Sequence, residues 1–188
     1  MSDQGVSPLL VGREAESRLL DELAHQVAAG GVATVLVGGE AGIGKSRLVA
    51  EFAQRHDLRR LIGGCVELGA DGLPFAPFVA ALRCASGKLD EDEPSRLAPL
   101  FPGRTTTGDA PQGEHSRSRL FEGVLALLAR LAAGHPTVLV LEDAHWADRS
   151  SLDLIDFLVR NQQAAPGSLI VVTYRSDEPS ARGLRRLL

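Results

Sequence analysis

Gly39-Glu40-Ala41-Gly42-Ile43-Gly44-Lys45-Ser46 fits the pattern G-x-x-x-x-G-K-[ST]. Glycines at these places let the backbone turn tightly, so that successive N–H groups face the phosphates of a nucleotide. A helix starting at the end of the run adds the partial positive charge of its N-terminus. Lys45 can then reach the β- and γ-phosphates, and the Ser46 hydroxyl can ligate Mg2+. A second pair of residues, Glu142-Asp143, closes the apolar run Val138-Leu139-Val140-Leu141. A carboxylate at a strand tip beside a phosphate loop can hold Mg2+ through its waters, while its neighbour orients or deprotonates an attacking water. The chemistry implied is binding of a nucleoside triphosphate with Mg2+, with hydrolysis within reach.

These groups work together only if the elements between them bring them together. Residues 32–37 (VATVLV) form a short β-branched apolar run, a buried strand leading directly into the glycine-rich segment. After it, residues 47–56 have helical spacing through Leu48, Val49 and Phe52. The strand-loop-helix context that phosphate binding needs is therefore present. Upstream, residues 14–29 read as an amphipathic helix stopped by Gly30-Gly31. Further strands are predicted at 58–66, 136–141 and 168–173, and further helices at 75–85, 117–133 and 150–161. Ser150 and Asp153 are spaced as a capping pair for the last helix. Residues 87–117, with the acidic cluster from Asp90 to Glu93 and several prolines and threonines, read as a loop or insertion. Strands apolar on both faces, alternating with helices, predict an α/β protein with a parallel sheet covered by helices on both sides. Residues 1–188 are expected to form a single domain.

Composition excludes several classes of function. The chain has 188 residues, 44% hydrophobic and 23% charged, which is enough for a real core and unlike a disordered chain. A net charge of −4 does not suit a nucleic-acid-binding domain, and no direct nucleic acid binding is expected. Cys65 and Cys84 are too few for a disulfide scaffold and lack metal-site spacing. No signal-peptide pattern and no apolar stretch of about 20 residues is visible, so a cytoplasmic chain making no membrane contact is expected. G-x-S-x-G is absent, and the acids of Glu142-Asp143-Ala144-His145 stand in the opposite order to a helicase D-E-A-H box. Of the 20 basic residues only Lys45 and Lys88 are lysines, and one of them lies in the phosphate loop.

Four strings together carry a resemblance: Leu10-Val11-Gly12-Arg13-Glu14, VLVGGEAGIGKSRLV, VLVLEDAHWADRSSLDLIDFL and VVTYRSDE. They look like the N-terminal P-loop ATPase module of the large ATP-binding LuxR-type transcriptional regulators, of the STAND class within the wider AAA+ group. The E-D-A-H-W-A-D and T-Y-R strings are more specific than the phosphate loop, and the likeness runs through nearly all of the chain except residues 87–117. The resemblance implies a three-layer P-loop fold with strand order 1-4-3-2, and a fifth strand that this chain would lack, leaving residues 32–37 as an edge. It implies that ATP binds along Gly39, Glu40, Ala41, Gly42, Ile43, Gly44, Lys45, Ser46 and Arg47, with Val11, Gly12 and Arg13 near the adenine. Glu142 would take the metal-side position with Ser46, Asp143 the water-activating or metal-binding one, and Arg175 would read the γ-phosphate beside Lys45. His145 and Trp146 would follow the strand tip near that phosphate. The implied function is a nucleotide switch for a transcriptional regulator, with slow Mg2+-dependent hydrolysis to ADP and phosphate at most. The implied partners are a following helical domain and a helix-turn-helix, with self-association through the free sheet edge. The alternatives are an AAA+-type enzyme or motor, for which Arg160 is the candidate arginine finger, and the ATPase module of another signalling protein such as a nucleotide cyclase or kinase.

Overall fold

The computed structural model describes residues 12–67, 74–83, 97, 100 and 114–178. Four parallel strands form one sheet: β1 (Ala33–Gly39), β2 (Arg59–Gly64), β3 (Thr137–Glu142) and β4 (Ser168–Arg175), in the order β1-β4-β3-β2. The expected α/β class and strand order are both present. Among the described residues, five helices of seven residues or more accompany them: α1 (Glu14–Ala28), α2 (Lys45–Arg55), α3 (Ala76–Leu82), α4 (Glu114–Gly134) and α5 (Arg149–Asn161).

The pleat of the central strands builds the three layers. Val138 and Val140 of β3, with Leu169 and Val171 of β4, face Leu20, Ala24 and Val27 of α1 and Leu48, Val49 and Phe52 of α2. The alternate residues Leu139, Leu141, Ile170, Val172 and Tyr174 face α3, α4 and α5. Because side chains alternate with period two, a strand apolar at every position needs cover on both sides, and β3 and β4 have it. β1 and β2 flank this pair and are less deeply covered. Gly63 sets how closely α3 lies on β2, since a Cβ there would stand 1.8 Å from the Pro77 carbonyl oxygen.

Several boundaries differ from the periodicity. β1 runs on to Gly39 because its pairing with β4 continues through Gly38↔Tyr174 and Gly39↔Arg175, a tertiary ladder that hydropathy does not report. α4 begins at Glu114, inside the stretch expected to be a loop. From the same stretch, Leu97 and Leu100 are fully buried in the core under α4; the rest of 87–113 lies outside the described residues. The expected Ser150–Asp153 capping pair is not made. Asp148 caps α5, its Oδ1 accepting the Ser151 N–H at 3.1 Å and its Oδ2 the Ser151 hydroxyl. Asp153 instead accepts from Arg117 of α4 and, at 3.2 Å, from Arg149. Asp148 wins the cap because Ala147 and Asp148 are already extended, whereas Ser150 is inside the first turn.

Candidate nucleotide site

All four strands end at one edge of the sheet, and the sequence-predicted residues sit along it. β1 passes into the loop 40–44, where Gly42 and Gly44 adopt φ of +73° and +92°. These are left-handed conformations that favour glycine, and they turn the chain so that α2 starts at Lys45. The first helical hydrogen bond is donated by the Leu48 N–H to the Gly44 carbonyl. The N–H groups of Lys45, Ser46 and Arg47 therefore stand at the open N-terminal end, where an anion is favoured.

Lys45 is only 7% exposed, and its Nζ donates to the Gly39 and Glu40 carbonyls at 2.9 Å each. The ammonium is thus held over the mouth of the loop. Glu40, Ala41, Ile43 and Ser46 are exposed around it. Arg47 is the third residue of α2, and its Nε donates to Glu51 Oε1 at 2.8 Å along the helix. Arg13 donates from Nη2 to the Ile43 carbonyl at 3.0 Å, tying the start of α1 to the phosphate loop. Gly12 precedes it, with φ of +78°. Val11 lies outside the described residues.

Glu142 is the last residue of β3, and its carbonyl accepts the Cys65 N–H at 2.8 Å. Alternation from Val138 and Val140 carries Glu142 to the α1/α2 face, the side on which Ser46 stands in the first turn of α2. Asp143 turns the chain sharply, at φ +54° and ψ +42°, and its N–H donates to Thr173 Oγ1 at 3.0 Å. A one-turn 3-10 helix, Ala144–Trp146, follows. Thr173 and Arg175 alternate with Leu169 and Val171 and so share the α1/α2 face. Arg175 is the register partner of Gly39, and the Ser176 N–H donates to the Gly39 carbonyl at 3.3 Å.

His145 links these parts. It is 8% exposed, its ring lies 4.6 Å from that of Trp146, and its Nδ1 accepts the Arg175 N–H at 3.3 Å. Since Nδ1 accepts, the proton of the neutral ring is on Nε2, which is buried with no hydrogen-bond partner. Burial holds the imidazole below its ordinary range; Asp143 opposes the shift, and Arg175 and Lys45 add to it. The Arg175 guanidinium reaches Asp177 at 3.1 Å and Glu178 at 3.7 Å, and its Nε is also buried without a partner. Its hydrogen bond to Asp177 raises the guanidinium and lowers the carboxyl.

The arrangement has what a polyphosphate needs: a lysine, a helix N-terminus and a strand-end arginine on one edge, the arginine Nε buried without a protein partner. For a divalent cation the fit is partial by design. Among the described residues no three His, Cys, Asp or Glu side chains cluster as a metal cage. Ser46 and the Glu142 and Asp143 carboxylates offer oxygen donors of the kind that Mg2+ takes when it is shared with phosphate oxygens. Arg160 is not part of this edge's network: its Nε donates to both carboxylate oxygens of Asp156, one turn back on α5, at 2.8 Å. Among the described residues no helix is long and apolar enough to cross a membrane.

Two residues of the site were not singled out by sequence reasoning. Thr173 carries the hydrogen bond that shapes the acid turn, and its signal is a polar residue ending an apolar strand. Asp148 also accepts the Phe75 N–H at 3.2 Å, and a partner so distant in sequence leaves no local trace.

Comparison with known proteins agrees with this geometry. Over 91% of its length the chain is 31% identical to an uncharacterized protein of Rhizobium meliloti (strain 1021), of which it spans 19%. Its fold resembles the crystal structure of Cdc6p from Pyrobaculum aerophilum, with a TM-score of 0.51 and 18% identity, covering 97% of this chain and 45% of that one. Residues 9–172 match the AAA ATPase domain, a stretch that takes in the phosphate loop, the acid turn and most of β4, and the chain belongs to that family of P-loop nucleotide-binding proteins.

Proposed function

We propose that this chain is the ATP-binding switch module of a LuxR-type transcriptional regulator, hydrolysing ATP slowly at most. The observation that carries the nucleotide half of this reading is the register Gly39↔Arg175, which sets a candidate phosphate sensor directly beside the first residue of the phosphate loop. In this reading the loop N–H groups and Lys45 bind the β- and γ-phosphates, and Arg175 faces the terminal one. Ser46, Glu142 and Asp143 would hold Mg2+, which supplies neutralisation of phosphate charge. Val11, Gly12 and Arg13 are assigned to the adenine side, the Arg13 bond to Ile43 supporting closeness to the loop. Glu142 is the metal-side acid because it shares the α1/α2 face with Ser46, and Asp143, one residue on, takes the water.

The regulator half rests on the E-D-A-H-W-A-D and T-Y-R strings. It takes the helical domain and helix-turn-helix as partners in the longer protein, and the cytoplasm as the location. A switch is preferred to a ring-forming motor because Arg160, the candidate arginine finger, is paired with Asp156 on its own helix.

Titration with Mg·ATP tests the nucleotide assignment. Lys45→Ala should weaken ATP binding about 10- to 100-fold, the loss of one or two charge-assisted phosphate contacts, with an unchanged far-ultraviolet spectrum. An unchanged ATP affinity would rule the phosphate-loop assignment out. Sequence of the gene downstream of Leu188 tests the regulator half: a helical domain and a terminal helix-turn-helix are expected, and a cyclase or kinase domain there would replace this reading.

A further inference from the structure

Two hydrogen bonds, each joining residues 30 apart in sequence, tie the acid turn to the end of β4. One is Asp143 N–H to Thr173 Oγ1; the other is Arg175 N–H to His145 Nδ1. We infer that His145 is a positioning residue for discrimination between nucleoside tri- and diphosphate, fixing the Arg175 guanidinium against the turn that carries Glu142 and Asp143. The inference rests on the nucleotide reading of the site and adds a residue to it.

The packing argues for a tether rather than a filler. A buried imidazole with an unpartnered Nε2 is a costly way to occupy space, because that N–H has given up water and gained nothing from protein. A leucine would fill the same volume without the penalty. What the imidazole adds is an acceptor aimed at a main-chain N–H of the neighbouring strand, with the ring held from turning by Trp146 at 4.6 Å. Gly39 of β1 lies beside Arg175 in the sheet, and the side chain is held at its far end, Nη2 on Asp177 and Nη1 on Glu178. On the side of the acid turn His145 holds the root, and the two carboxylates hold the tip. The guanidinium is thereby set in one place relative to the metal-side acids, and a terminal phosphate would meet both at once. Without the tether, Arg175 keeps its charge but loses its registry with the turn, so binding of the triphosphate falls while the diphosphate, which does not reach Arg175, binds as before.

The test uses the full chain and calorimetric titration with Mg·ATP and Mg·ADP, reading the ratio of the two affinities. Asparagine places an oxygen where Nδ1 is, and glutamine places its polar end near Nε2. The wild-type chain should prefer ATP. His145→Asn should keep that preference, while His145→Ala and His145→Gln should cut it about fivefold or more with ADP affinity retained, which also shows that the variants are folded. In an Arg175→Ala background, His145→Ala should change the ratio no further. The inference is overturned by equal wild-type affinity for ATP and ADP, or by an unaltered ratio in both His145→Ala and His145→Gln. It is overturned equally if glutamine rescues and asparagine does not, which would make Nε2 a direct contact, or if the loss persists without Arg175. A wild-type chain that binds neither nucleotide overturns the nucleotide reading itself, a result none of the variants can imitate.

Discussion

Cys65 stands just past the end of β2, its N–H on the Glu142 carbonyl, and its side chain is 5% exposed. Burial pushes the thiol up to about 12, with Asp143 and Asp148 adding to the effect, so no thiolate is available where the acid turn begins. The unfolded thiol, with its ordinary value of 9.0, ionises first as pH rises, so alkaline conditions above that value favour the unfolded chain. Alkylation followed by peptide mapping at about pH 8.5, near the free thiol's range, should label Cys65 far more slowly in the folded chain than in denaturant. Equal rates would mean that the turn opens freely. At this scale the sequence was most informative where one residue type does one job: Lys45, Ser46 and the Glu142-Asp143 pair all lie on the expected edge. It was silent on His145 as a link to Arg175, because the bond goes to a main-chain N–H and any residue at 175 except proline would supply one.

Among the elements, α5 shows what periodicity can and cannot report. It buries Leu154, Ile155 and Leu158, and its last residue, Asn161, was placed correctly. Its start was not, because Ser150 and Asp153 satisfy a local pattern equally well while Asp148 has a further partner outside the helix. That partner is the Phe75 N–H at the beginning of α3, where Phe75 takes a left-handed φ of +61°. One carboxylate therefore caps α5 and holds the strained first residue before α3. Asp148→Ala should destabilise the chain by about 1–2 kcal/mol, the usual loss of a side-chain cap, and by more if the Phe75 N–H is left unpaired. Ser150→Ala should change stability by no more than about 0.5 kcal/mol, as for an ordinary surface position. Urea denaturation of the two variants decides between the caps, and a larger loss for Ser150→Ala would restore the pattern read from the sequence. The strands were legible for a different reason. β3 and β4 carry unbroken apolar runs, Val138–Leu141 and Leu169–Val172, because both faces are covered, whereas the last two residues of β1 are glycines, placed in the strand only by their pairing with Tyr174 and Arg175.

At the scale of the whole molecule, β3 and β4 each have a neighbour on either side and helices on both faces, while among the described residues β1 pairs only with β4 and β2 only with β3. Opening β3 or β4 requires breaking two ladders and exposing both apolar clusters, so it approaches global unfolding; opening an outer strand breaks one ladder. Amide hydrogen exchange should therefore be slowest in Thr137–Glu142 and Ser168–Arg175 and faster in Ala33–Gly39 and Arg59–Gly64. The same measurement tests whether the sheet edge is one site. The phosphate loop, the acid turn and the end of β4 are joined by Gly39↔Arg175, by Asp143 to Thr173 and by His145 to Arg175, so a ligand ordering one of them must order the others. Mg·ATP should slow exchange at 39–47, at 142–146 and at 173–176 together. Protection confined to 39–47 would mean that the acids and Arg175 take no share of the ligand, and that the three strand ends are neighbours without being a site.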